Sequence, residues 1–231
     1  MIWSLRATFP EDELKGCGWD IQPLDGDLRN VKPADLSVDI GHWPIPITEY
    51  WSSGRHMDTA KLPMRLSVKA IGCRKDRPAL YQDFTASMGS DTLASAAFRD
   101  VVEAHDPGVH QFVPVQVEDA KGGAIEHDYF WFAPGHRIFA LDAERTSPPM
   151  RPYPEGPDWI NPHPDRPAMR FDRKQRSETW ALVFRADKIG DRNLFCDGEF
   201  RRQIFISDRL KRAFEAAALV GVKAIGPHPV V

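Results

Sequence analysis

Eight of the twenty prolines in this 231-residue chain fall between Pro148 and Pro167, around Tyr153, Gly156 and Trp159. Each proline removes a backbone donor and fixes φ, so no helix and no central strand can run through that stretch. The chain must therefore build its regular structure on either side of a long extended connection, with Trp159 and Ile160 as its natural anchors. The expected organisation is an N-terminal α+β region over residues 1–146, the proline-rich connection over 147–176, and a C-terminal region over 177–231. The last is either a separate unit or continuous with the first.

Before the connection, Leu93, Ala97 and Val101, with Phe98 and Val102 beside them, form an apolar stripe at helical spacing. It predicts a helix over about 91–105, starting at Ser90 or Asp91 and ended by Asp106-Pro107-Gly108. Three strand-like runs follow. The valines alternate in Val113-Pro114-Val115-Gln116-Val117, with Pro114 pointing to an edge or bulged position. Lys121-Gly122-Gly123 turns into Ile125–Phe132, and Pro134-Gly135 turns into Arg137–Leu141. The reading is an antiparallel meander over about 112–141. Within it, Tyr129-Phe130-Trp131-Phe132 puts bulky rings on both sides of one strand, which suits a strand covered on each face.

After the connection, Thr179–Phe184 and Arg202–Ile206 read as strands. Ser207 is placed to cap a helix with Leu210, Ala213, Phe214 and Ala217 on one face, Gly221 to stop it in a left-handed conformation, and Val222–Ile225 to form a closing strand. Ile2–Leu5 and Arg65–Ile71 are further strand candidates in an otherwise irregular first third. The fold class expected is α+β: an antiparallel meander with helices, plus a C-terminal strand-helix-strand unit.

Composition narrows the function classes. Charged residues make up 27% and the net charge is -3. That argues against a general nucleic-acid binder, which needs a concentrated basic field. Apolar runs fall far short of the roughly 20 residues that cross a bilayer, and the N-terminus is no signal peptide, so a soluble cytoplasmic protein is expected. Cys17, Cys73 and Cys196 are odd in number and far apart, which suits reduced thiols better than disulfides or a zinc site.

No phosphate loop, HExxH or Gly-x-Ser-x-Gly elbow is present. His105 and His110 straddle a helix stop, and neighbours on a strand, such as His127 and Asp128, point to opposite faces, so no metal is expected. His136 and His163 read as surface or hydrogen-bonded histidines. Asp142 and Glu144, two apart at a strand end, could face one side as a general acid/base pair, or could simply tether the strand end through backbone donors or Arg145. Asp25 and Asp27, like Glu11-Asp12-Glu13, are either solvated loop carboxylates or contacts for a basic partner. Trp43, Tyr50, Trp51 and Trp159 would make good interface anchors if exposed.

Several segments, taken in order, resemble a known family. Phe98-Arg99-Asp100-Val101-Val102, then Gln111-Phe112-Val113-Pro114-Val115, then Ile138 to Thr146 are similar to the middle of the Imm11 family of predicted bacterial immunity proteins. Leu182 to Ile189, Asn193-Leu194-Phe195 and Ile206-Ser207-Asp208-Arg209-Leu210, on to Leu219-Val220-Gly221-Val222, resemble its C-terminal part. The resemblance covers roughly residues 80–146 and 178–225 and little of the first 79. It implies a binding protein and not an enzyme, one that neutralises a cognate toxin encoded next to it, in the polymorphic toxin systems and secreted effectors of interbacterial competition. It implies no catalytic residues and no cofactor. The expected toxin contacts are the loops of residues 10–60 and 148–176, with Glu11, Asp12, Glu13, Trp43, Tyr50, Trp51 and Trp159. Two other classes remain open. One is a small hydrolase or transferase using Asp142 and Glu144. The other is a nucleic-acid-binding module that joins Arg170, Arg173, Lys174 and Arg176 to Arg201 and Arg202 on one surface.

Overall fold

The structure is a computed structural model that describes residues 1–7, 18–28, 31, 34, 54–71, 82–86, 92–125, 127–147, 150–152, 169–170, 181–198, 200 and 203–231. In chain order its elements are β1 (Ile2–Ala7), β2 (Gly18–Pro23), β3 (Arg65–Ile71), β4 (Phe84–Ala86), β5 (Thr92–Ser95), α1 (Ala96–Glu103), β6 (Gln111–Asp119), β7 (Tyr129–Ala133), β8 (Arg137–Ile138), β9 (Arg151–Pro152), β10 (Met169–Arg170), α2 (Ala186–Ile189), β11 (Leu194–Asp197), β12 (Ile204–Ser207), α3 (Asp208–Ala216) and β13 (Val222–His228). One sheet runs β13-β1-β12-β11-β8, a second runs β2-β3-β6-β7-β5-β4, and β9 and β10 form a two-stranded ladder. The class is α+β.

Strand periodicity sorts side chains into three cores. In β12, Ile204 and Ile206 join a central core while Phe205 turns the other way, and in β11 Leu194 and Cys196 part from Phe195 in the same manner. In β7, Phe132 enters the central core while Tyr129 and Trp131 enter a third. The central core thus takes one face of each sheet, and α1 contributes Phe98 and Val102 to it while α3 contributes Leu210 and Phe214. Phe98 stacks on Phe84 at 4.9 Å and on Phe214 at 5.0 Å, and meets Phe132 edge-on at 5.4 Å, so one ring touches both sheet-borne and helix-borne aromatics. Outside the six-stranded sheet, Val31, Met57 and Leu62 cover Leu66, Leu93, Val117 and Trp131. Outside the five-stranded sheet, Ala140, Leu141, Leu182 and Phe184 cover Ile2, Phe195 and Phe205.

The aromatic run of β7 is covered on both faces as expected, with all five of its residues buried. Its polar tips are satisfied: Trp131 Nε1 donates to Pro63 O at 2.6 Å and Tyr129 OH to Gln82 O at 3.1 Å. Pro114 sits on the half of β6 that pairs only with β7, because β3 joins β6 from Gln116 onward. A missing N–H is harmless there.

Four expectations are corrected. The first helix begins at Ala96 and not near residue 91. Thr92–Ser95 pair instead with β7, Leu93 opposite Trp131, and Ser95 Oγ caps the helix by accepting Phe98 N at 3.2 Å. Leu93 lay at helical spacing from Ala97 by coincidence, and strand pairing with a buried neighbour won over that spacing.

The second correction concerns the third run of the meander. It does not turn back onto β7: β8 crosses to the other sheet and pairs parallel with β11, Cys196 opposite Arg137. Gly135 makes the crossing possible, since a Cβ there would lie 1.9 Å from Val109 O. Beyond β8, Asp197 Oδ2 accepts the amides of Ala140 at 2.8 Å and Leu141 at 2.9 Å, so a carboxylate takes the place of a strand neighbour.

Third, the expected strand at Thr179–Phe184 is, from residue 181, an extended segment held by isolated bridges, Ala181 to Ser147 and Phe184 to Leu141 and Val230.

The C-terminal unit has the expected order β12-α3-β13, and Ser207 Oγ caps α3 by accepting Leu210 N at 3.1 Å. The left-handed stop, however, is Ala218 at φ 50, with Ala218 N donating to Glu215 O and Leu219 N to Phe214 O. Gly221 is also left-handed, at φ 83, but serves the entry to β13, where a Cβ would lie 2.6 Å from Phe84 O. At the proline-rich connection, Arg151 and Pro152 pair with Arg170 and Met169, so the two ends of that stretch meet.

Candidate functional site

The proposed toxin contacts Glu11, Asp12, Glu13, Trp43, Tyr50, Trp51 and Trp159 lie outside the described residues, as do Arg173, Lys174, Arg176, Arg201 and Arg202. Asp142 and Glu144 are described, and they do not form a pair. The chain leaves its extended course at Asp142, whose Oδ1 accepts Arg145 N at 3.1 Å and whose carbonyl accepts Thr146 N, so the carboxylate closes a turn. Glu144 projects from that turn into solvent. Asp25 is likewise committed: its Oδ1 accepts the amides of Met64 at 2.8 Å and Arg65 at 3.0 Å, fastening the turn after β2 to the start of β3.

The most concentrated polar chemistry among the described residues surrounds Asp106, at the end of α1. Its buried carboxylate accepts Leu194 N at 2.8 Å, Asn193 N at 3.1 Å and Asn193 Nδ2 at 3.0 Å. His110 lies at 3.3 Å through Nε2, while its Nδ1 accepts Gly135 N at 3.0 Å. The proton is therefore on Nε2, which donates to Asp106. Burial alone would push the Asp106 carboxyl up, but the hydrogen bonds from the His110 and Asn193 side chains and from the Leu194 and Asn193 amides outweigh it and hold it at about 2.

Asn193 Oδ1 in turn accepts Ser207 Oγ at 2.9 Å, and Asn193 Nδ2 also reaches His105 O. His136 packs edge-on to His110 at 5.6 Å, and burial, then the proximity of His110, pushes it below its usual value. The sequence places Asp106, Asn193 and Ser207 far apart; the pairing of β11 with β12 sets Asn193 beside Ser207, and the end of α1 brings Asp106 against Asn193 and Leu194. The one local signal was a carboxylate beside a helix stop.

This cluster is built for fastening. Ser207 Oγ is occupied on both sides, accepting from Leu210 N and donating to Asn193 Oδ1, so it is not a free nucleophile. His110 has both ring nitrogens in use. Among the described residues, no group of three or more His, Cys, Asp or Glu side chains is arranged to hold a metal ion. The Cys196 thiol is fully buried, and burial pushes its pKa up, away from the reactive thiolate.

A different kind of feature lies between α3 and β13, a groove of about 300 Å³. Its floor is Ile206, Phe214, Leu219, Val222 and Ala224, and its rim carries Lys211, Glu215 and Lys223. Lys211 Nζ lies 4.7 Å above the Trp3 ring and within an ion pair to Glu215. Such a groove suits an apolar side chain and not a reaction, because it gathers no acid, base and nucleophile around one point.

No helix among the described residues is long and apolar enough to cross a membrane. Among curated proteins nothing matches the chain. The family model of the Imm11 immunity proteins matches residues 38–225, beginning well before residue 80 and running through the proline-rich connection. The connection and the segment from residue 38 are therefore parts of the family's common length and do not lie outside it. With a fold in which the described polar clusters fasten elements together, and with a match over most of its length, the chain belongs to the Imm11 immunity protein family.

Proposed function

We propose that this protein binds one cognate bacterial toxin in the cytoplasm and neutralises it by covering its active site or substrate entry. The observation that carries this reading is the family match over residues 38–225. The commitment of Asp106, Asp142, His110 and Ser207 to structural bonds supports binding over catalysis, and takes the residues of the hydrolase alternative out of an acid/base arrangement. A body of two sheets that share one buried core suits a binder, since tight association needs preorganised shape and a few buried anchors. The contacts proposed are the loops of residues 10–60 and 148–176, with Glu11, Asp12 and Glu13 speeding encounter with a basic toxin. Trp43, Tyr50, Trp51 and Trp159 are the proposed anchors.

Co-expression with the product of the adjacent gene tests the proposal. Growth should be restored, the two proteins should co-purify, and added immunity protein should inhibit the toxin stoichiometrically. A neighbour that is harmless, or a toxin that stays active in the presence of excess immunity protein, would overturn it. Alanine at Trp43, Tyr50, Trp51 and Trp159, one at a time, should identify at least one residue whose loss weakens the complex by about 2 kcal/mol.

A further inference from the structure

β13 is the outermost strand of the five-stranded sheet, and in that sheet it is paired to β1 alone. His228 closes its end. The residue is 7% exposed, its Nε2 lies 2.9 Å from Ser4 Oγ on β1, and its ring centroid lies 6.1 Å from Phe184 and 6.2 Å from Phe205. The strand pairing is irregular at that point, with a register shift between Ile2 and Ser4. Beyond it the chain is held by Phe184 N donating to Pro229 O and Val231 N to Phe184 O.

We propose that His228 is an acid-operated latch on the seam between β1 and β13: its neutral ring holds the outer strand against the core, and protonation releases that strand while β11 and β12 stay paired. Wall and partner both favour the neutral ring. Two phenyl rings and one hydroxyl cannot compensate a positive charge taken out of water. The charged groups on the elements packed around it are the Met1 amino group before β1, Arg6 on β1, Lys223 on β13, Arg185 after Phe184, Asp187 and Lys188 on α2, Asp197 on β11 and Asp208 after β12. Asp197 is bonded to the amides of Ala140 and Leu141, Asp208 accepts Trp3 Nε1, and Asp187 is paired to Lys188. Among the described residues no carboxylate is hydrogen-bonded to the His228 ring, and burial is what pushes it down to about 4.

The sign follows from linkage. The closed strand prefers the neutral ring, and the open strand lets it titrate near its ordinary value. Closure is therefore at full strength above about pH 6.5, weakens as pH falls towards 4, and loses nothing further below that. Between pH 7 and pH 5 the opening equilibrium should rise about 20-fold.

Backbone hydrogen exchange at pH 7 and pH 5, corrected for the intrinsic pH dependence of exchange, tests this on the whole protein. Protection over Val222–His228 should fall about 20-fold relative to Ile204–Ser207. In His228→Gln, or in His228→Phe should the first variant fold poorly, the relative fall should shrink to less than about threefold. The latch is overturned if wild-type β13 keeps its protection at pH 5, if β12 and β13 lose protection together, or if the fall persists without the histidine. The wild-type comparison decides between the first two even where neither variant folds.

Discussion

Asp106 gathers four protein donors onto one buried carboxylate: the Asn193 amide, the Asn193 side chain, the Leu194 amide and His110. An asparagine there would turn its own N–H groups toward groups that can only donate. Asp106→Asn should therefore cost about 3 kcal/mol, measured by urea unfolding at pH 7. A loss under about 1 kcal/mol would mean that the network relaxes around the amide. The pH dependence has a definite sign. The carboxyl is held at about 2 in the fold and is higher in the unfolded chain, so its contribution of about 2 kcal/mol is complete above about pH 4 and fades as pH falls through 2. The opposite kind of residue effect is expected at Ala218, which occupies a left-handed position at φ 50 where glycine is preferred. Ala218→Gly should stabilise by about 1 kcal/mol and raise Tm by about 2–4 °C in a thermal melt. An unchanged or lower Tm would show that the left-handed turn at Ala218 carries no strain.

Among elements, the legible ones had both ends marked. α3 was readable because Ser207 supplies a cap and Leu210 and Phe214 a stripe, all within one helix's length. α1 was misplaced at its start because Thr92–Ser95 reads equally as helix or strand until β7 lies alongside it. β8 was assigned to the wrong sheet for a similar reason. Proline and glycine at 134–135 announce a change of direction, but whether the chain turns back or crosses over depends on what Gly135 passes, and that is Val109 O. Gly135→Ala should therefore be the most damaging single-methyl change in the crossing. The expected loss is at least about 3 kcal/mol, or failure to yield soluble protein, scored beside Gly122→Ala, whose added Cβ meets nothing within 4 Å and whose left-handed φ of 82 should cost only about 1 kcal/mol. Comparable behaviour of the two variants would remove the argument for a tight crossing.

At the scale of the molecule, the central core draws Phe84, Ala94 and Phe132 from one sheet and Leu5, Leu194 and Ile206 from the other, with α1 and α3 among them. Shared burial of this kind predicts that both sheets unfold in one transition, detected alike by tryptophan fluorescence and far-ultraviolet circular dichroism. Phe98→Ala, which removes a ring that touches Phe84, Phe132 and Phe214, should cost about 3–5 kcal/mol without splitting that transition. Two separated transitions in the wild type would show that residues 1–146 and 177–231 fold independently.

What the sequence determined by itself was whatever depends on neighbours along the chain: the α+β class, the double-faced aromatic strand, the serine-capped last helix, and the serial pattern that resembles the immunity family. Tertiary structure decided where Leu93 pairs, where β8 goes and what Asp106 bonds to. Those outcomes rest on contacts between residues tens of positions apart, and local spacing carries no record of them. A carboxylate two residues from another looks the same in sequence whether it will catalyse or close a turn. Asp142 closes a turn, because the chain bends there and Arg145 N is the nearest donor.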